Sequence, residues 1–242
     1  MTPLAVLISH GQPSDPGPAA KVLTDLAQSV ATYLPGWLIG SATLAEPGSL
    51  ARATTSPSGR VYPLFMAGGW FTRIALPKRL AEAGASGWQV LEPFGCDPAL
   101  HDLAADIVAE ALAAHQMDPA QSALLLAAHG SFKSPVPADI ARHLSARIGA
   151  ATGLARVEAA FIDQIPQLAQ ATGFGPDSLC LPFFAAAGGH VTQDIPAALK
   201  AAGFQGHLLP ALGLDPRVPA IIARAIVAGQ PVCTAECRYR QG

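Results

Sequence analysis

The sequence predicts an α/β protein of two tandem similar lobes, each a small parallel sheet flanked by helices. Two observations carry that prediction. Short apolar runs alternate with longer helix-like stretches throughout, the pattern of strand–helix–strand units. The whole order of segments also occurs twice, with matching punctuation. His10 and His129 stand 119 positions apart, and each ends an apolar run with His-Gly. PLFMAGGW (63–70) answers PFFAAAGGH (182–190), read with one extra residue in the second copy, and LPKRLAEAG (76–84) answers IPAALKAAG (195–203). FGCDP (94–98) answers LGLDP (212–216). The chain therefore reads as two copies of a unit of about 120 residues: a first lobe over 1–118 and a second over 119–242.

Each element follows in order within a copy. The runs at 4–8 and 123–128 are apolar without alternation, which suits a strand buried on both faces. Helix-like segments follow at 19–33 and 138–150. Second strands are expected at 37–44 and 156–162, and third strands in VYPLFM (61–66) and LCLPFF (179–184). A proline inside each third run counts against a central position there, because proline cannot donate to a ladder. Helices at 73–83 and 192–202 lead to short fourth strands at 89–92 and 207–209. Asp97-Pro98 and Asp215-Pro216 then open the last helix of each copy, with Asp as cap and Pro at the first helical position. The linker is expected at 116–121, where QMDPAQ interrupts the apolar pattern.

Half of the 242 residues are hydrophobic and 13% are charged, a folded rather than disordered composition. A net charge of −2 offers nucleic acid no general attraction. No secretory signal is visible, and the apolar runs are far shorter than a membrane span, so a cytoplasmic protein is expected. Cys96, Cys180, Cys233 and Cys237 are too few and too scattered for a disulfide scaffold. Cys233 and Cys237 in CTAECRYRQG amount to half a metal site or to a frayed terminus.

In open parallel sheets ligands gather beyond the carboxyl ends of the strands. His10 and His129 directly follow the first strands and are expected there, with Gly11 and Gly130 turning the backbone. His190 follows the third strand of the second copy and the pair Gly188-Gly189. Two imidazoles from neighbouring strand ends can converge on one ion, and imidazole both ligates divalent metals and titrates near neutrality. Asp163, just past the second strand, can complete a ligand set, shuttle protons, or simply cap a turn before Pro166. His101, His115 and His143 sit in alanine-rich helical segments as surface or interhelical residues, and His207 stands beside a fourth strand.

LLLAAHGS (124–131), VEAAFIDQ (157–164), PFFAAAGGHVTQDIPAAL (182–199) and ALGLDP (211–216) resemble the class II chelatases, which insert a metal into sirohydrochlorin in cobalamin and sirohaem biosynthesis. The resemblance implies two α/β lobes facing each other across a cleft. It maps the family's metal-binding histidines onto His129 and His190 and its acidic residue onto Asp163. It also implies a polycarboxylate tetrapyrrole as partner, Co²⁺ or Fe²⁺ as the inserted ion, and no organic cofactor; Ni²⁺ suits histidine ligation as well. The first copy departs from the pattern: it keeps His10, but Trp70 is read in the place of His190 and Leu44 in that of Asp163. One metal site is expected, in the second lobe, with His10 at a rim and Trp70 lying against the flat ring. Lys133 and Arg73 are placed either to meet ring carboxylates or to be ordinary surface charges. A monomer or a homodimer fits equally. A non-catalytic metal or tetrapyrrole carrier is the alternative. A histidine phosphatase is disfavoured, because Ser9 and Ala128, not arginine, precede the two histidines.

Overall fold

The computed structural model describes residues 2–233 and 236–240. In chain order the elements are β1 (Leu4–Ser9), α1 (Pro16–Ala31), β2 (Leu38–Thr43), α2 (Ser49–Ala53), β3 (Gly59–Pro63), α3 (Leu76–Glu82), β4 (Trp88–Val90) and α4 (Pro98–Ala114). They continue as β5 (Ala123–Ala128), α5 (Val136–Thr152), β6 (Arg156–Phe161), β7 (Ser178–Pro182), α6 (Ile195–Ala201), β8 (His207–Leu208) and α7 (Val218–Ala228). Two four-stranded sheets result, in the orders β2-β1-β3-β4 and β6-β5-β7-β8, and every strand pairing is parallel. The expected α/β class and its duplication are both present.

Both third strands are internal despite their prolines. Alternate residues of a strand turn their N–H groups to opposite neighbours. Leu64 donates to Ile8 on β1, so the N–H that Pro63 lacks falls on the β4 side, where pairing has already ended at Val90. Phe183 donates to Ala127 on β5 in the same way, and Pro182 lies past the last pair of β7 with β8, Cys180 and Leu208. The proline costs no ladder bond because it stands where the neighbouring strand has stopped.

The cores repeat as well. β1 and β5 are central and buried on both faces, as their unbroken apolar runs require. α3 packs Leu76 and Leu80 into the first core, and α6 packs Ile195 and Leu199 into the second, each pair four residues apart on one helix face. Each such side chain contributes about 1.5–3 kcal/mol on burial.

The division of the chain departs from the expected cut after residue 118. One compact unit comprises 1–97 with 216–237, and the other 98–215 with 238–242. α4, which follows the first sheet in sequence, packs on α5 and β7 of the second unit. α7, which follows the second sheet, packs on α1 and β3 of the first. Arg60 of β3 donates to the carbonyls of Ile226 and Val227 at the end of α7, and the following residues bond β4 through Glu92 N–H to Gln230 O and Val232 N–H to Val90 O. α7 also begins at Val218 rather than at Pro216, and the short helix α2 had no distinct periodicity to announce it.

Candidate metal site

The order β6-β5-β7-β8 contains one place where consecutive connections leave in opposite directions. From β5 the chain crosses to β6 on one side, then returns to β7 on the other. Ligands of open parallel sheets bind at this switch, beyond the strand ends. His129 directly follows β5, Asp163 lies two residues past β6, and His190 follows the loop after β7. The rings of His129 and His190 stand edge to face with centroids 4.7 Å apart. Asp163 Oδ2 is 3.6 Å from His129 Nδ1. The three residues singled out in the second lobe are thus brought together.

Backbone turns set these positions. Gly130 has φ 75°, in the left-handed region, and a side chain there would meet Gln164 Cβ at 2.7 Å and Phe161 Cβ at 2.9 Å. Gln164 ties the two loops, accepting from the Ser131 N–H at 3.0 Å. His190 opens a five-residue π-helical turn, His190–Asp194, before the buried Ile195 anchors α6. Turns of this kind recur at functional sites.

The hydrogen bonds distinguish the two nitrogens of each ring. His129 Nδ1 lies 3.1 Å from the Gly130 carbonyl oxygen, and His190 Nδ1 lies 2.6 Å from Asp194 Oδ2. Each Nδ1 faces an oxygen, so in the neutral imidazole the proton sits on Nδ1 and Nε2 has the lone pair that a metal would need. Among the described residues, no three His, Cys, Asp or Glu side chains form a cage able to hold an ion. An ion held by two imidazoles alone would keep most of its coordination positions open, unlike one in a closed structural site.

The first unit corrects two of the expected correspondences. Its matching π turn is Phe71–Ala75, again followed by a helix and again bonded from its third residue to the glycine before it, Arg73 N–H to Gly69 O as Thr192 N–H to Gly188 O. Phe71, not Trp70, therefore stands where His190 does, and no residue is inserted. Phe71 contacts His10 at 4.6 Å, and Phe65 meets the same ring at 4.6 Å. On the second strand, Ala45 donates to the His10 carbonyl as Asp163 donates to that of His129, so Ala45 and not Leu44 is the counterpart. Aromatic carbon has replaced the second imidazole, and a methyl the carboxylate.

The remaining candidates are placed as follows. Trp70 is 69% exposed. Arg73 is half-buried, its Nε 3.4 Å from Gly69 O, and it lines a small cavity with Glu92, Cys96, Cys233 and Cys237. Lys133 is exposed. Gly188 and Gly189 are exposed, and a side chain at either would meet nothing within 4 Å. Cys237 is buried rather than frayed; its thiol hydrogen-bonds that of Cys96, which this contact and burial hold well above the ordinary thiol range. His115 and His207 stack at 3.7 Å, and His101 is fully buried beside His143 and Tyr239. Sequence reading missed Asp194, although a carboxylate four residues after a histidine on a turn is a visible signal. It missed Gln164 too, for which no local signal exists.

A family model described as CbiX matches residues 123–228, the second copy. CbiX, the terminal enzyme for biosynthesis of sirohaem in denitrifying bacteria, has a similar structure, with 43% sequence identity over 93% of this chain and 98% of that one and a TM-score of 0.86. SirB from Bacillus subtilis with Fe³⁺ matches at TM-score 0.75 with 12% identity, over 99% of both chains. The sirohydrochlorin chelatase SirB from Bacillus subtilis subspecies spizizenii in complex with cobalt matches at 0.67, also with 12% identity, over 95% of both. At such identities these two establish the fold alone. No curated protein sequence matches. Together the matches give the chain the fold shared by these proteins. The chain belongs to the CbiX family.

Proposed function

We propose that this protein is a sirohydrochlorin chelatase that inserts a divalent ion, Co²⁺ or Fe²⁺, into the ring on the way to cobalamin or sirohaem. The observation that carries the reading is the pair of imidazoles 4.7 Å apart, both with Nδ1 engaged and Nε2 available. His129 and His190 hold the ion and replace part of its water shell, leaving positions for ring nitrogens. Insertion exchanges one M²⁺ for two pyrrole N–H protons. Asp163, beside His129 and 44% exposed, accepts the two departing protons in turn and passes each to water. Gly188 and Gly189 leave the ion's surroundings free of side chains, so a broad flat ring can come close. In the first unit Trp70 is exposed, and His10 is held among aromatic rings rather than serving as a ligand. Lys133 meets ring carboxylates and keeps them oriented; Arg73, turned toward its cavity, is the weaker candidate for that role. Ni²⁺ suits the same donors and belongs among the test ions. Among the described residues no helix is long and apolar enough to cross a membrane, and the reading places the reaction in the cytoplasm, with monomer or homodimer as the working state.

The test follows the absorption of sirohydrochlorin on mixing with Co²⁺ or Fe²⁺, against the rate without protein. His129→Ala and His190→Ala are expected to reduce insertion to the non-enzymatic rate, whereas His10→Ala only weakens it. A wild type that binds ion and ring without accelerating insertion would make the protein a carrier. A His10→Ala null with an active His190→Ala would move the site to the other unit.

A further inference from the structure

We infer that Asp194 is a positioning residue for metal transfer, fixing His190 in the tautomer and ring orientation that present Nε2 to the ion. The inference rests on the chelatase reading and deepens it. The Asp194 Oδ2 to His190 Nδ1 distance is 2.6 Å, a short bond of the charge-assisted kind. An ionised carboxylate can only accept, so the shared hydrogen belongs to Nδ1 and the lone pair to Nε2. A free imidazole on an exposed turn would rotate and exchange tautomers; this one has one nitrogen tied down. Carboxylate–imidazole–metal chains of this form raise ligand basicity and orient the ring.

Two features of the fold argue for this role over that of an ordinary surface ion pair. His190 and Asp194 are the first and last residues of one π turn, and Ile195, fully buried, pins its end to the core. The carboxylate is thereby held against the imidazole by backbone anchored in the sheet, not by a flexible stem. The second feature is the matched turn of the first unit, where His190 is replaced by Phe71 and Asp194 by Ala75. Where the turn carries no ligand it also carries no carboxylate at its end. His129 has a different arrangement, with the Gly130 carbonyl at 3.1 Å and Asp163 farther away at 3.6 Å, so the direct carboxylate clamp belongs to His190.

The experiment uses the full chain without metal. Long-range ¹⁵N–¹H correlation spectra report which nitrogen of His190 carries the proton, and Co²⁺ titration followed by its d–d bands reports affinity. The expected results are an Nδ1–H tautomer in the wild type and a mixed population in Asp194→Ala, with Co²⁺ affinity lower by about 10–100-fold. Asp194→Asn, which keeps an acceptor oxygen, is expected to recover most of that loss. A purely structural role would shift the thermal midpoint and leave the tautomer alone. Unchanged tautomer and affinity in Asp194→Ala overturn the inference. His190→Ala separates the two levels: if it leaves Co²⁺ affinity unchanged, the metal-site reading itself fails, whereas a loss there with none in Asp194→Ala removes only the role of Asp194.

Discussion

A methyl group added at Gly130 would lie 2.7 Å from Gln164 Cβ, on a backbone at φ 75°. Left-handed backbone costs a residue with a side chain about 1–2 kcal/mol, and overpacking typically adds about 1–3 more. Gly130→Ala should therefore lower the thermal midpoint by several degrees and, because His129 precedes it, weaken Co²⁺ binding; calorimetry and titration check both. Gly189→Ala should leave the midpoint unchanged, since no atom lies within 4 Å of the added carbon. A loss of insertion in that variant would then report contact with the ring. The cysteines divide by burial in the same way. Burial pushes the Cys180 thiol up to about 12, and Cys96 is also raised, so neither forms much thiolate at neutral pH. Iodoacetamide near pH 8 should label part-exposed Cys233 and spare Cys180 and Cys96 until the protein unfolds, read by peptide mass spectrometry.

At the scale of elements, α6 holds the π turn through Ile195 and Leu199. Leu199→Ala should cost about 2–5 kcal/mol by leaving a cavity in the core, and should loosen the turn that carries His190. On α5, burial pushes the His143 imidazole below the ordinary histidine value, and the Arg147 charge acts in the same sense. The unfolded chain therefore takes up this proton first as pH falls. Stability should decline on acidification through about pH 6.5 and level off once the folded His143 is protonated as well. Urea unfolding across that range should show the slope in wild type and a shallower one in His143→Gln.

For the whole molecule, the exchange of α4 and α7 between units governs how the chain can be divided. A fragment 1–118 lacks α7, which covers α1 and β3; a fragment 119–242 lacks α4, which covers α5 and β7. Neither half cut at the repeat boundary should fold alone, and circular dichroism with proton NMR of the two fragments would show it. The repeat announced its strands well because each is an apolar run between turns, and Ala123 to Ala128 has the same bounds either way. It gave no hint of the helix exchange, since a helix's apolar stripe does not say which sheet it covers. Residue correspondence failed at Trp70 and Leu44 for a similar reason: a one-residue shift in a loop leaves no periodic signal, while the hydrogen bonds of the turn and of Ala45 fix it.

What the sequence determined by itself was the strand–helix alternation, its duplication, and which side chains of the second copy could ligate a metal. These depend on local pattern and residue chemistry, and short stretches of chain contain both. The tertiary structure decided that the switch between β5 and β7 brings His129 and His190 to 4.7 Å, that Asp194 holds one of them, and that Phe71 takes the place of His190 in the first unit. Those facts depend on distances between residues far apart in the chain, which only packing of the sheets and helices sets.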